Sequence, residues 1–177
     1  MIDISKLLTK QIRVYYLKMN SKPIFDYTKW KGLDFSFQEL TKPINTSYYL
    51  SIYNSVGYKY NWFDRLFLSE SELERLINKP NTIISEFRIG KILAGWAEFV
   101  CEHDYVEIQY FGLTEKFIGK GFGKLFLTLC IEKAWNYKPN SVQLNTCELD
   151  HKNALNVYKS LGFVEYKTQM EIRKVSK

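Results

Sequence analysis

The residues best placed to do chemistry lie in Val106-Glu107-Ile108-Gln109-Tyr110-Phe111-Gly112-Leu113 and in Ile118-Gly119-Lys120-Gly121-Phe122-Gly123-Lys124, just ahead of an amphipathic run. The pattern reads as strand, glycine-rich turn and helix. Glycines at 119, 121 and 123 remove alternate side chains where a helix begins, so its unpaired backbone N–H groups can approach an anion closely. That is phosphate-binding chemistry. An ATP loop requires G-x-x-x-x-G-K followed by Ser or Thr, whereas Gly123-Lys124 is followed by Leu125, and Ile118 stands where the first glycine belongs. A dinucleotide fingerprint requires G-x-G-x-x-G near the start of a βαβ unit, but this turn is G-x-G-x-G and lies well past the middle of the chain.

The elements that must position this turn follow from periodicity. Residues 82–89 and 92–101 read as strands joined at Gly90-Lys91, a two-residue hairpin signal, and 105–113 as a third strand of an antiparallel meander. Strand alternation puts Glu107, Gln109 and Phe111 on one face. The turn leads into a helix over about 121–137, with Phe122, Leu125, Phe126, Leu129, Cys130 and Ala134 on one side. Residues 141–147 form the next strand and 152–161 a short helix, with Asp150 as its N-cap, Asn153 in its first turn, and Gly162 at its left-handed end. The run 163–173 closes the sheet. Nearer the N-terminus, 11–19 alternates as a strand through Ile12, Val14 and Tyr16, while the polar and aromatic stretch that follows carries no clear pattern. A helix is expected over 45–56, an aromatic loop over 58–65, and a second helix opened by the capping box Ser69 with Glu72. Strands meeting helices in this order imply a mixed α/β or α+β fold.

Two segments in this order resemble the GCN5-related N-acetyltransferase (GNAT) superfamily. Its turn reads Gln/Arg-x-x-Gly-x-Gly/Ala and matches 118–123, with Ile118 in place of Gln or Arg. Its last helix carries N-x-x-A-x-x-x-Y-x-x-x-G-F with small shifts in spacing, as in Asn153-Ala154-Leu155-Asn156-Val157-Tyr158-Lys159-Ser160-Leu161-Gly162-Phe163. The resemblance is best over 82–173 and implies one N-acetyltransferase domain over 1–177, built on a mostly antiparallel sheet of about seven strands with flanking helices. It also implies acetyl-coenzyme A as cosubstrate, with the pyrophosphate on Ile118, Gly119, Lys120, Gly121, Phe122, Gly123 and Lys124. The pantetheine arm would run along Phe111-Gly112-Leu113, passing where Gly112 lacks a side chain, with Asn145 and Asn153 also holding it. A main-chain N–H near Leu113 would stabilise the thioester oxyanion, an effect that can reach ~3 kcal/mol of barrier. Glu107 resembles the family's glutamate base, acting through water that Gln109 could orient, and Tyr158 matches the general acid toward the leaving thiolate. The reaction implied is direct attack of a primary amine, from a small molecule or a protein, on the thioester. A catalytically silent acyl-coenzyme A sensor is the alternative.

Composition narrows the remaining possibilities. A net charge of +6 and a pI near 9.1 favour an anionic ligand, which coenzyme A phosphates satisfy without nucleic acid. The basic residues are dispersed, with no helix-turn-helix or RNA-binding signature. Three widely spaced cysteines and two histidines give neither a disulfide framework nor a metal site. Cys147, His151 and His103 lack the partners of a nucleophile or a placed base, so they read as structural or surface residues. The start MIDISKLLTKQIRVYYLK has no signal-peptide core, and no apolar run is long enough to span a membrane, which points to the cytoplasm. Thirteen tyrosines suggest an aromatic pocket, with the acceptor wall expected over 45–65 from Tyr48, Tyr49, Tyr53, Tyr58, Tyr60 and Trp62. A homodimer is left open, since no interface can be read from the chain.

Overall fold

The computed structural model describes residues 7–176; residues 1–6, where the stretch read above for a signal peptide begins, and residue 177 lie outside it. Seven strands form one sheet: β1 (Leu8–Met19), β2 (Phe35–Glu39), β3 (Thr82–Ile89), β4 (Ile92–Cys101), β5 (Tyr105–Leu113), β6 (Ser141–Cys147) and β7 (Val164–Val175). Their spatial order is β2-β3-β4-β5-β6-β1-β7, so the first strand is inserted between the last two. Every neighbouring pair is antiparallel except β5 and β6, which run parallel. Parallel neighbours need a crossover, and the helix α3 (Phe122–Asn136) provides it. The mixed, mostly antiparallel sheet with flanking helices is the architecture expected.

Helices cover both faces of the sheet. On one side α1 (Thr46–Gly57) and α2 (Glu70–Ile77) pack Tyr49, Ile52, Tyr53, Val56, Leu73 and Ile77 against Ile84, Trp96 and Tyr110. On the other, α3 and α4 (Ala154–Ser160) bury Leu125, Phe126, Cys130 and Tyr158 against Phe87, Phe99, Val106 and Leu144. In that layer Phe126 is stacked 4.8 Å from Phe87 and lies tilted 4.7 Å from Phe111. The capping box at Ser69 and Glu72 opens α2 as expected, and the Asn45 side chain accepts from the Tyr48 N–H to open α1.

Some expectations are corrected. The unpatterned stretch after β1 contains β2, an edge strand on β3 whose Phe37 packs 5.7 Å from Phe126. Residues Phe25, Tyr27, Trp30 and Leu33 pack against the α3-side core; of the predicted face of α3, Leu125, Phe126, Cys130 and Ala134 are buried and Phe122 and Leu129 half-buried, while Leu127, Thr128 and Ile131 are buried as well. In β1 Ile12 and Val14 are buried as the alternation predicts, but the opposite face is covered too, with Leu17 and Met19 in the α3-side core and Tyr15 packed on it; Tyr16 is half-buried and donates to Glu171. Asp150 does not cap α4. Asn153 occupies the N-cap place without a side-chain bond, while Asp150 accepts from the Thr146 hydroxyl at 2.8 Å and the Cys147 N–H at 2.9 Å.

Candidate functional site

Two features of β5 create the site. Glu98 pairs with Tyr110 and Phe99 with Ile108, leaving Gln109 unpaired, which makes a β-bulge. Before the bulge Val106 and Ile108 face α3; after it Tyr110 joins the α1-side core and Phe111 turns to Phe126. Glu107 and Phe111 therefore lie on opposite faces, correcting the simple alternation. The second feature is where pairing stops. The β5–β6 ladder ends at Ile108 with Leu144, yet β5 continues to Leu113 and β6 to Cys147, still paired to Val14 of β1. The strands part, and a cavity of about 480 Å³ fills the gap, within the range of small-molecule sites.

One end of the cavity is the glycine turn. Gly119 (φ +77°) and Gly121 (φ +83°) are both left-handed, and a Cβ added at either would meet nothing within 4 Å. The glycines are thus required by backbone conformation, and they leave the turn open. Gly121 is the N-cap of α3 and makes no side-chain cap bond, and the first turn holds no acidic residue. Free N–H groups of a fifteen-residue helix, with Lys124 and Lys29 also lining the cavity, fit a pyrophosphate. Ile118, Gly123 and Lys124 line the cavity with these glycines. Lys120 and Phe122 turn to the Phe117 ring, 5.8 Å away in each case, and are not part of the lining.

The middle of the cavity is walled by Phe111-Gly112-Leu113 on one side and by Leu144, Asn145 and Cys147 on the other. The missing side chain at Gly112 has a different cause from the one read in the sequence: a Cβ there would come within 2.4 Å of Val56 Cγ1. Gly112 makes room for α1 to pack, and contributes only backbone to the cavity.

From α4 come Asn153, Ala154, Val157 and Tyr158. The helix ends in a Schellman motif, with the Phe163 N–H bonded to the Tyr158 carbonyl and the Gly162 N–H to that of Lys159. Tyr158 packs edge-on to Phe111 and Phe163. Burial, helped by Asp150, pushes its phenol well above the ordinary tyrosine range, so at neutral pH it is a donor. Glu107 is half-buried and outside the cavity lining; it accepts from Asn145 Nδ2 at 3.3 Å, and Asn145 lines the cavity. Burial raises the Glu107 carboxyl, opposed by the Asn145 bond.

The far end gathers residues that the sequence did not bring together. Tyr60, Asn61, Trp62 and Asp64 line it, with Arg173 and Lys174 from β7. Trp62 donates to Asp150 at 3.4 Å, and Arg173 lies 3.6 Å from Asp64. Of the aromatic residues expected to form an acceptor wall, Tyr60 and Trp62 reach the cavity; Tyr49 and Tyr53 are core, Tyr48 bonds Glu86, and Tyr58 points to solvent. Only the run of aromatics between two helices signalled this end; Arg173 carried no signal, being far away in the chain. His103 is exposed beside Asp104, and His151 lines the cavity, its Nδ1 accepting from the Asn153 N–H. Burial pushes the Cys147 thiol up to about 11, which leaves little thiolate for attack. Among the described residues no cluster of metal-ligating side chains occurs, and no helix is long and apolar enough to cross a membrane.

The model of the acetyltransferase (GNAT) family matches residues 42–163. The chain belongs to that family. No curated protein matches it in sequence. Among solved structures, a GCN5-related N-acetyltransferase from Sphaerobacter thermophilus superposes with a TM-score of 0.63 at 10% identity, covering 97% of this chain and 53% of that one. A functionally unknown conserved protein from Staphylococcus epidermidis gives 0.60 at 16%, covering 96% and 64%. An aminoglycoside acetyltransferase from an uncultured soil metagenomic sample gives 0.58 at 12%, covering 77% and 90%. This GNAT chain therefore spans about half to two-thirds of the length of the first two structures, and at such identities the likeness speaks for the fold.

Proposed function

We propose that the protein is an N-acetyltransferase that moves the acetyl group of acetyl-coenzyme A to a primary amine by direct attack on the thioester. The observation that carries this reading is the single cleft joining the open turn at Gly119 and Gly121 to Tyr158 and the backbone of Phe111–Leu113. The phosphates rest on the α3 N-terminus and the arm lies between the parted strands. Backbone N–H groups of β5 near Leu113 face the carbonyl oxygen where negative charge develops, a contribution that can reach ~3 kcal/mol. The attacking nitrogen forms its bond to the carbonyl carbon, the carbon–sulfur bond breaks, and Tyr158 donates to the departing sulfur.

An alkylamine of pKa about 10.4 must lose a proton first, at a cost of about 4–5 kcal/mol at pH 7. Glu107 takes that proton through water held by Asn145 and Gln109. The amine enters from the end walled by Tyr60, Trp62 and Asp64. The deciding experiment is thiol release from acetyl-coenzyme A across a panel of amines, with calorimetry of coenzyme binding. Amine-dependent release in the unchanged protein, lost in Tyr158→Phe with binding kept, supports the enzyme; saturable binding with no release by any amine supports a sensor instead.

A further inference from the structure

Beneath the far wall of the cleft lies an ion pair that the reaction does not use. Glu98, on β4, has a fully buried side chain, and Arg65, in the segment between α1 and α2, is 14% exposed. Arg65 Nη2 donates to Glu98 Oε1 at 2.6 Å and its Nε to the Tyr49 hydroxyl at 3.2 Å, while Tyr49 donates to Glu98 Oε2 at 2.6 Å. The guanidinium also sits 5.1 Å above the Tyr110 ring. Glu98 pairs with Tyr110 at the edge of the bulge. Asp64, the immediate neighbour of Arg65, lines the cavity, as does Tyr110.

We infer that Arg65 and Glu98 form a latch that positions the acceptor wall, holding the segment 58–67 against the sheet and fixing Tyr110 beside the bulge. The inference rests on the proposed function only in calling that wall the acceptor side. A buried ion pair adds little net stability over apolar residues of the same volume, because desolvation offsets the attraction. Its distinctive property is direction. A planar guanidinium bound at two edges and seated on an aromatic face has one orientation, and the backbone at 65 is fixed with it. Trp62 packs 5.1 Å from Tyr110 and 6.2 Å from Trp96, so the wall's aromatics register on the same strand pair. Arg65 and Glu98 are positioning residues: neither lines the cavity.

Two variants test this. Arg65→Met combined with Glu98→Leu removes both charges together, leaving no unpaired ion buried; Arg65→Lys keeps the charge and loses the planar fork. In both, calorimetry is expected to give the unchanged affinity for coenzyme A, since the turn is untouched. Near-UV circular dichroism of the Trp62, Trp96 and Tyr110 cluster should weaken, and amide exchange across 58–67 should quicken by about tenfold or more. In the thiol-release assay, the KM of the best amine should rise about tenfold while kcat stays close to that of the unchanged protein. Unaltered dichroism and exchange in both variants overturn the latch, as does a fall in kcat with KM unmoved. If no amine releases thiol from the unchanged protein, the proposed function fails, and exchange with dichroism still decide the latch. If the double variant does not fold, Arg65→Lys decides by the same readings.

Discussion

Tyr158 owes its proton to its surroundings: buried against Phe111 and Phe163, its phenol holds hydrogen far above neutral pH. Tyr158→Phe is expected to cut thiol release by about 10²-fold, the usual size of a lost general acid, with coenzyme binding by calorimetry little changed. Glu107 makes the opposite case, a carboxylate whose burial favours the neutral form. Its folded pKa is raised, so its stabilising contribution is full below the unfolded value of about 4.3 and is lost as pH rises through the folded value. Glu107→Gln should therefore raise the urea midpoint at pH 7, with the difference closing toward pH 4, while slowing release. In the unchanged protein, release should fall as pH drops through the raised Glu107 pKa; a rate independent of pH there would remove Glu107 as the base. Of these two residues the sequence showed identity and spacing, through a turn and a helix in the right order. What it hid was direction. The bulge at Gln109 reverses which face Phe111 shares, and a bulge leaves no mark in the alternation of nearby apolar residues.

At the scale of elements, β3, β4, β5 and β6 were legible to the residue, because Gly90-Lys91 and the glycine turn punctuate them sharply. Strand β2 was not, since an edge strand of five half-buried or exposed residues has no clean inside and outside. The N-terminus of α4 was misread for a related reason: Asp150 has the residue type of a cap, but three donors from β6 and Trp62 claim its carboxylate first. Packing between elements was equally hidden. Gly112 looked like space for a ligand and is space for α1. Gly112→Ala is expected to cost about 1–3 kcal/mol by overpacking against Val56, measured by urea denaturation, and the double variant with Val56→Ala should recover most of it. Gly121→Ala meets no neighbour and should still cost about 1–2 kcal/mol through its left-handed backbone, with a weaker coenzyme isotherm because the turn relaxes. Equal effects of the two glycine changes on coenzyme binding would contradict the distinction drawn here.

For the whole molecule, the net charge of +6 and the lysines lining the cavity would make the proposed phosphate binding partly long-ranged. Affinity for coenzyme A by calorimetry should fall several-fold as salt rises from about 0.05 to 0.5 M, the range over which screening shortens from roughly 14 to 4 Å; a flat response would place the phosphates away from these lysines. The mixed sheet was legible because strand and helix signals came in a telling order, whereas the insertion of β1 between β6 and β7 has no local cause in the chain. It also has a cost during synthesis. Val14 pairs with Cys147 on one side and Gln169 on the other, so β1 waits for both β6 and β7, far downstream of it, before its berth exists. Through that interval Ile12, Leu17 and Met19 travel uncovered, and such late-closing, non-local pairing is slow and aggregation-exposed. A nascent chain stalled short of β7 would carry a raw strand edge, open to pairing with another chain.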